Sequence, residues 1–258
     1  MDDLKLTELS LSERAKQRIH KYISKMELEK SNKLPSEETL AKIIGVSRVT
    51  IRKALDDLAA EGIVFRRQGK GTFVNVDSLN IKVKFNPAME FLQMIRKCGY
   101  EPSVRLLNIQ EIPCDDDIGG LLQLDKSCTL VRSEKFFLAD DKICAYCMDY
   151  FDISLIGGSD AYENFSKYES SVFKYIYSYS KEKIEWDKVE IDTVLGKDIP
   201  YFMTYVPDDA YGCKPYLRLK GVDYNSADKP LVYAEEYIDT SLIKFSMIRQ
   251  RMIHYDDE

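Results

Sequence analysis

The chain has 258 residues, of which 45% are hydrophobic and 31% are charged. This composition is ordinary for a folded globular protein and excludes a chain that is disordered throughout. No apolar run approaches the roughly 20 residues of a membrane-spanning helix, and the polar, acidic N-terminus does not resemble a signal peptide. We therefore expect a cytoplasmic protein built from one small and one medium-sized domain.

The charges are distributed unevenly along the chain. Residues 1–75 hold 15 Lys and Arg against 11 Asp and Glu, whereas residues 76–258 hold 22 against 32. The net charge of −6 therefore combines a basic head with an acidic body. This asymmetry is typical of a nucleic-acid-binding module fused to a domain of another kind.

The six cysteines lack the paired CxxC motifs of a zinc site. Cys144 and Cys147 form a single CxxC, but they lie in a strand-like run, where side chains three residues apart face opposite ways. We therefore expect reduced thiols and neither a metal nor a redox site.

The head begins with three helical patterns, and Gly45 supplies the tight turn between the second and the third. A short helix, a glycine turn and another helix are typical of a helix-turn-helix. Ser12 is expected to cap a first helix over 12–26, Ser36 a second over 36–44, and Ser47 a third over 48–61.

The third helix has an apolar side and a basic side. Its apolar side repeats at helical spacing and is expected to face the core. The outward side is expected to enter a major groove, where Val49 can meet a thymine methyl group. An ordinary helical hairpin with a solvated basic face is the alternative, since Asp56 and Asp57 share this helix. The core-facing residues are Ile51, Leu55 and Leu58, and the outward residues are Arg48, Val49, Arg52 and Lys53.

A wing is expected after this helix. Residues 63–65 and 72–74 have the composition of two strands, and the basic glycine turn between them presents Arg67 and Lys70 to a DNA backbone. The turn Gly69-Lys70-Gly71 lacks the spacing of a phosphate-binding loop, so we exclude nucleotide binding.

These motifs resemble the GntR-type winged-helix signature continuously over about forty residues. The motifs are Leu34-Pro35-Ser36-Glu37, Gly45-Val46-Ser47-Arg48, Thr50-Ile51-Arg52, Glu61-Gly62 and Gly69-Lys70-Gly71-Thr72-Phe73-Val74. The resemblance implies DNA contacts from Arg48, Thr50, Arg52, Gly69 and Lys70. With the residues argued above, the expected DNA-binding set is Ser36, Arg48, Val49, Thr50, Arg52, Arg67, Gly69 and Lys70.

One position departs from the family. An arginine that contacts DNA often follows the Pro-Ser-Glu motif there, and this chain has Glu38 instead. The operator is then read differently at that point, or the contact is missing.

The body follows a short, slightly extended linker over 76–84, so the expected domains are 1–75 and 85–258. A helix capped by Asn86-Pro87 is expected to run to about Lys97, and short strands and helices follow. Residues 142–152 resemble residues 229–239 at a constant offset of 87. We therefore expect two similar β-hairpins related by a pseudo-two-fold axis in one antiparallel sheet, with a ligand cleft between them; chance similarity is the alternative.

The order of elements in the body resembles the UTRA effector domain of the HutC branch of this family. The landmarks are Phe85, Gly99, Pro102, Leu138-Ala139-Asp140, Ser171-Val172-Phe173 and Lys229-Pro230-Leu231. The resemblance implies an α+β chorismate-lyase-like fold, a small polar effector that is often a sugar phosphate, and a homodimer. The fold class expected for the whole chain is α+β.

The effector site is expected on the strand before Ala139-Asp140. Sugar-phosphate sensors of this branch have two arginines there, at the positions of Lys135 and Phe137. A single lysine is a point charge, which makes a poorer anion clamp than a pair of guanidinium forks. A singly charged or unphosphorylated effector is therefore expected as much as a sugar phosphate. The expected effector-binding residues are Asn86, Arg132, Lys135, Ser171, Lys181, Glu235 and Tyr237.

Taken together, these patterns favour a DNA-binding transcription regulator, most simply a repressor, that binds double-stranded operator DNA under effector control. The two histidines, His20 and His254, belong to no visible triad or metal motif. An enzyme tethered to DNA and a ligand-free architectural DNA-binding protein are the two alternatives.

Overall fold

The computed structural model describes residues 10–79, 83, 85, 88–158, 165 and 171–247. The described residues form two compact units. The first contains those up to Ala88 together with Ser246 and Met247, and the second is Met89–Phe245. The domain limits expected from the sequence stay a prediction.

The first unit is a three-helix cluster followed by a two-stranded hairpin. Its core is formed by apolar residues at helical spacing, among them Ile19, Leu40, Ile51 and Leu55. The elements are α1 (Leu11–Ile23), α2 (Glu37–Ile44), α3 (Arg48–Ala60), β1 (Val64–Arg67), β2 (Gly71–Val74) and a short helix α4 (Val76–Leu79).

Side-chain caps define where the helices of this unit begin. The Ser36 and Ser47 hydroxyls accept from backbone N–H groups in the first turns of α2 and α3, as predicted. The cap of α1 is Ser10 rather than the expected Ser12, because the helix begins at Leu11. Ser12 is buried, and its hydroxyl has no hydrogen-bond partner among the described residues. Gly45 ends α2 with a φ of +78°, a left-handed conformation that favours glycine.

The second unit is a six-stranded antiparallel sheet with helices on both faces. Its helices are α5 (Phe91–Cys98), α6 (Asp116–Leu122), α7 (Val172–Ser180), α8 (Phe202–Tyr205) and α9 (Asp209–Gly212). Its strands are β3 (Pro102–Pro113), β4 (Thr129–Ala139), β5 (Lys142–Asp152), β6 (Trp186–Leu195), β7 (Pro215–Tyr224) and β8 (Pro230–Ile238). The strand order is β3-β4-β5-β8-β7-β6.

We name each face of the sheet after a helix that covers it. On the α7 face, Val131, Phe151 and Val232 pack against α7, and Phe137 stacks on Phe91 of α5 with ring centroids 4.5 Å apart. On the α8 face, Phe136 and Tyr146 contact Phe202 of α8 at centroid distances of 5.8 and 5.6 Å. Because successive side chains alternate along a strand, neighbouring residues of β4, β5 and β8 belong to opposite faces.

The two repeated segments form the centre of the sheet. They are β5 and β8, which pair antiparallel so that Tyr146 lies opposite Tyr237 and Tyr150 opposite Tyr233. The repeat equates Tyr146 with Tyr233 and Tyr150 with Tyr237, so the pairing exchanges equivalent residues, as a two-fold relation requires. The predicted α+β class and antiparallel sheet are thus confirmed. The expected cleft between the hairpins is wrong, because backbone hydrogen bonds join the two strands directly.

Two local expectations for the body are also corrected. The helix expected from Asn86-Pro87 begins at Phe91 with Glu90 in the capping position, and Asn86 and Pro87 lie outside the described residues. The linker expected to be extended contains the helical turn α4. The six cysteines are free thiols.

Candidate DNA-binding surface and effector site

The outward side of α3 is a solvent-exposed basic surface. The side chains of Arg48 and Arg52 are 62% and 63% exposed, and Val49 is 78% exposed. Thr50 lies at the first turn, where its hydroxyl is 2.8 Å from that of Ser47. The predicted contact residues of α3 therefore share one accessible end of the helix, which is the end that recognition helices present to bases.

Glu37, at the start of α2, holds the arginines of this surface. Its carboxylate lies 3.5 Å from Arg52, 3.6 Å from Arg66 and 3.8 Å from Arg48. Arg66 is also paired with Asp56 at 2.6 Å. The sequence does not indicate these contacts of Glu37, because a glutamate in a first helical turn is explained by the helix dipole alone.

Replacing Glu37 with glutamine is expected to weaken discrimination between DNA sequences. The change removes a negative charge beside Arg48 and Arg52 and releases these arginines, so binding to non-specific duplexes should tighten several-fold. The ratio of specific to non-specific affinity, measured by fluorescence anisotropy, should fall. Glu38→Gln is the matched control, since Glu38 pairs with Lys42 rather than with these arginines. Equal behaviour of the two variants would contradict this role for Glu37.

The wing presents a second basic surface. Arg67 lies over the stacked rings of Phe65 and Phe73, with its guanidinium carbon 5.2 and 5.1 Å from their centroids. This contact orients the arginine along the hairpin. Gly69 has a φ of +67° at the tip, and Lys70 beside it is exposed. Ser36 is exposed but is already engaged as the cap of α2, where its hydroxyl lies 2.8 Å from that of Thr39.

The structure does not bring the predicted effector residues together in one site. Lys135 lies on the α7 face, whereas Arg132, Glu235 and Tyr237 lie on the α8 face. The remaining residues are Ser171, the N-cap of α7; Lys181, which ends α7 and donates to the Ser178 carbonyl; and Asn86, which lies outside the described residues.

On the α8 face, the predicted residues belong to a buried network of tyrosines and glutamates. Arg132 pairs with the buried Glu134 at 3.0 Å, and its guanidinium lies 4.2 Å from the ring centroid of Tyr201. Glu235 accepts hydrogen bonds from Tyr233 and Tyr237. Burial alone raises the pKa of Glu235, but these hydrogen bonds outweigh it and leave that pKa below its ordinary value. Most of these groups satisfy one another, so this face has the character of a structural core; among the described residues, Arg132 Nε and the Tyr216 hydroxyl on this face have no hydrogen-bond partner.

On the α7 face, five polar residues form a strip between the regions covered by α5 and α7. The Lys135 ammonium pairs with the Asp149 carboxylate at 2.7 Å, and the Ser133 hydroxyl donates to the same carboxylate at 3.0 Å. Asp223 and Glu236 complete what we call the polar strip. Burial, together with nearby carboxylates, raises the pKa of Glu236 to about 8 and that of Asp223 well above its ordinary value.

Only Lys135 of the polar strip was predicted from the sequence. Ser133 and Asp149 lie within the hairpin segments, but nothing local distinguishes them from surface residues. Glu236 follows the predicted Glu235 on β8. Neighbouring strand residues face opposite sides, so Glu236 shares the face of Lys135 and Glu235 does not. Among the described residues, no group of three His, Cys, Asp or Glu side chains is close enough together to hold a metal ion.

The fold and these surfaces define a winged helix-turn-helix protein with a second, sheet-based α+β domain. Residues 11–74 match the model of the bacterial regulatory proteins of the gntR family, and residues 97–195 match the UTRA domain. The chain thus combines a DNA-binding domain of the gntR family with a UTRA domain. This family consists of transcription regulators rather than enzymes. No helix within the described ranges is long and apolar enough to cross a membrane.

Named relatives and a solved structure agree with this assignment. The chain is 29% identical to the HTH-type transcriptional repressor NagR of Bacillus subtilis over 64% of this chain and 66% of NagR. It is 25% identical, over 92% of this chain and 93% of the relative, to an Escherichia coli protein named Probable fructoselysine utilization operon transcriptional repressor. The crystal structure of YydK from Bacillus subtilis has the same fold, with a TM-score of 0.69 at 16% identity over 94% of this chain and 100% of YydK.

The extent of these matches differs between relatives. The chain spans about two thirds of the length of NagR and about half the length of two further relatives, YurK of Bacillus subtilis and GgaR of Escherichia coli. The whole-chain activity and its partners are therefore matters for proposal.

Proposed function

We propose that the chain binds a specific operator duplex through α3 and the wing, and that a small polar metabolite bound in the second unit controls this binding. The observation that supports DNA recognition most strongly is the exposed pair Arg48 and Arg52 at the N-terminal end of α3. Arginine at this end of a recognition helix reads guanine edges in the major groove. The exposed Lys70 and the Gly69 tip then contact the sugar-phosphate backbone.

The other DNA-binding residues have separate roles in this proposal. Val49 contacts a thymine methyl group, Thr50 and Ser36 contact phosphates, and Arg67 lies along the groove from its position on Phe65 and Phe73. Glu38 replaces the arginine that often contacts DNA in this family, so the operator is read without that contact. The names of NagR and of the fructoselysine-operon relative favour repression as the direction of control.

The effector site in this proposal is the polar strip on the α7 face. Lys135 occupies one of the two positions where sugar-phosphate sensors of the HutC branch have arginines, and Phe137 occupies the other. The Lys135 charge is already neutralised by Asp149 at 2.7 Å. A doubly charged phosphate would therefore meet no unpaired cation from these two positions, which favours an effector of another charge type.

A homodimer completes the proposal. Strand β6 is one of the two edges of the sheet, and nearly all of its residues are exposed, including Ile191 at 50% and Trp186 at 43%. A long exposed edge strand is covered in most proteins, and a second copy of the chain is the simplest cover. Two heads related by a two-fold axis would bind half-sites separated by about one helical turn, roughly 34 Å.

Selection of bound sequences from random DNA duplexes tests the proposal. The full chain should enrich a sequence with two-fold symmetry, and its protected region should contain two half-sites. The enrichment should survive an excess of non-specific competitor DNA, because specific regulators exceed their own non-specific affinity by at least about 10³-fold. Recovery of no common sequence would contradict the proposal.

A further inference from the structure

The polar strip contains more carboxylates than its single lysine can balance. The carboxylates in excess surround Ala234 on β8. Asp149 on β5 lies opposite Ala234, and Glu236 follows two residues after Ala234 on β8. On β7, Gly221 is the residue opposite Ala234, and Asp223 follows two residues after Gly221. Since residues two apart on a strand share a face, all three carboxylates project from the same side of the sheet.

The three carboxylates differ in how they are paired. Asp149 is engaged by Lys135 and Ser133. Asp223 is only 7% exposed and Glu236 is partly exposed, and neither has a hydrogen-bond or ion-pair partner within the part of the chain that the structure describes. A buried carboxylate without a partner is costly in a folded protein, and such groups usually have a functional reason.

We infer that Asp223 and Glu236, with Asp149 beside them, bind a protonated amine of the effector. An ammonium group donates up to three hydrogen bonds, and the unpartnered carboxylates of Asp223 and Glu236 can accept them. This inference rests on the proposed function, because it names the effector class for the site on the α7 face.

Other ligand types fit the cluster less well. A phosphate would add negative charge to a site that already holds three carboxylates. A metal ion requires ligands that converge on one point, and no three of the described His, Cys, Asp or Glu side chains do so. An ammonium group can be held by hydrogen bonds to one or two carboxylates, without three ligands at a single point.

The charged surroundings also predict proton release on binding. The titratable groups that face Glu236 are Lys135 on β4, Asp149 and Cys147 on β5, Asp223 on β7 and Asp187 on β6. Burial and the net negative field keep the pKa of Glu236 at about 8. Its protonated form is therefore the stable one at lower pH, and an ammonium ligand must displace that proton. Affinity for an amine should thus rise as the pH increases from about 6 towards 8.

Thermal unfolding of the full chain with matched ligands tests the inference. The probes are glucosamine, lysine, putrescine and ethanolamine. Their counterparts hold no ammonium group and are N-acetylglucosamine, Nα,Nε-diacetyllysine, N,N′-diacetylputrescine and N-acetylethanolamine; N-acetylglucosamine 6-phosphate and Mg²⁺ are further controls. At least one primary amine should raise the Tm of the second unit by about 5 °C or more near 100 times its Kd, and its acetylated form should not. The shift should be larger at pH 8 than at pH 6.

Substitutions in the cluster separate binding from folding. Asp223→Asn and Glu236→Gln should abolish the amine-dependent shift while leaving the ligand-free Tm about equal, because each replaces a carboxyl group that has no partner among the described residues with an amide of nearly the same shape. Glu111→Gln, an exposed change on β3, is the control and should retain the shift. A shift with the phosphorylated sugar or Mg²⁺ alone, or no shift with any amine, would overturn the inference. DNA selected without any ligand tests the proposed function separately, so either can fail alone.

Discussion

Alanine at Arg48 or Arg52 is expected to weaken operator binding by about 1–3 kcal/mol for each arginine that reads a guanine edge. The loss follows from geometry, since both side chains are more than 60% exposed on one end of α3 and are held only by Glu37 at 3.5–3.8 Å among the described residues. Neither side chain contributes to the core of the first unit, so its Tm should be unchanged. Fluorescence anisotropy with the selected duplex and with a scrambled duplex measures the effect.

The arginine control separates base reading from charge. Arg14→Ala removes the same charge from the exposed side of α1 and should reduce specific and non-specific binding only slightly. For Arg48 and Arg52, the loss should be larger for the selected duplex than for the scrambled one. An equal loss on both duplexes would show that these arginines contact phosphates only, and the assignment of α3 to the major groove would then be wrong.

Alanine at Lys135 is expected to destabilise the second unit by about 3–5 kcal/mol, because it leaves the Asp149 charge buried without its partner. Lys135 and Asp149 are 3% and 5% exposed, and their charged atoms are 2.7 Å apart. The double variant Lys135→Met, Asp149→Leu removes both charges and should recover most of the loss. Urea denaturation monitored on the second unit checks both variants.

The comparison between single and double variants decides what the pair does. If Lys135→Ala and the double variant are equally stable, the pair contributes little and the buried charge of Asp149 is relieved by solvent. If both the single and the double variant are unfolded, the second unit requires the Lys135–Asp149 pair in order to fold. We expect instead that the double variant is more stable than Lys135→Ala by several kcal/mol.

The head could be predicted closely because its signals are local. Serine caps, the glycine at the end of α2 and the apolar stripe of α3 each depend on residues within a few positions. The cap of α1 was misplaced because Ser12 belongs to the buried side of that helix and lies within it, so Ser10 caps the helix instead. The contacts of Glu37 were missed because they depend on three arginines that are distant in sequence.

The body was predicted in outline but not in its site. The repeat indicated two hairpins, and the sheet pairs them through a two-fold relation. Both faces of this sheet are covered, so β5 and β8 are buried along almost their whole length and show no alternation of polar and apolar residues. Without that alternation, nothing in the sequence places Glu236 rather than Glu235 on the face of Lys135. The face of each residue follows from the strand register, which only the folded structure supplies.

Operator affinity measured with and without the amine that stabilises the second unit is the most direct test of ligand-controlled DNA binding. The coupling between the two sites should change the Kd of the selected duplex by about 5- to 150-fold, the range of typical allosteric coupling. Asp223→Asn and Glu236→Gln should bind the duplex normally but lose this response. A ligand that stabilises the second unit and leaves the Kd of the operator unchanged would contradict control of DNA binding through the polar strip.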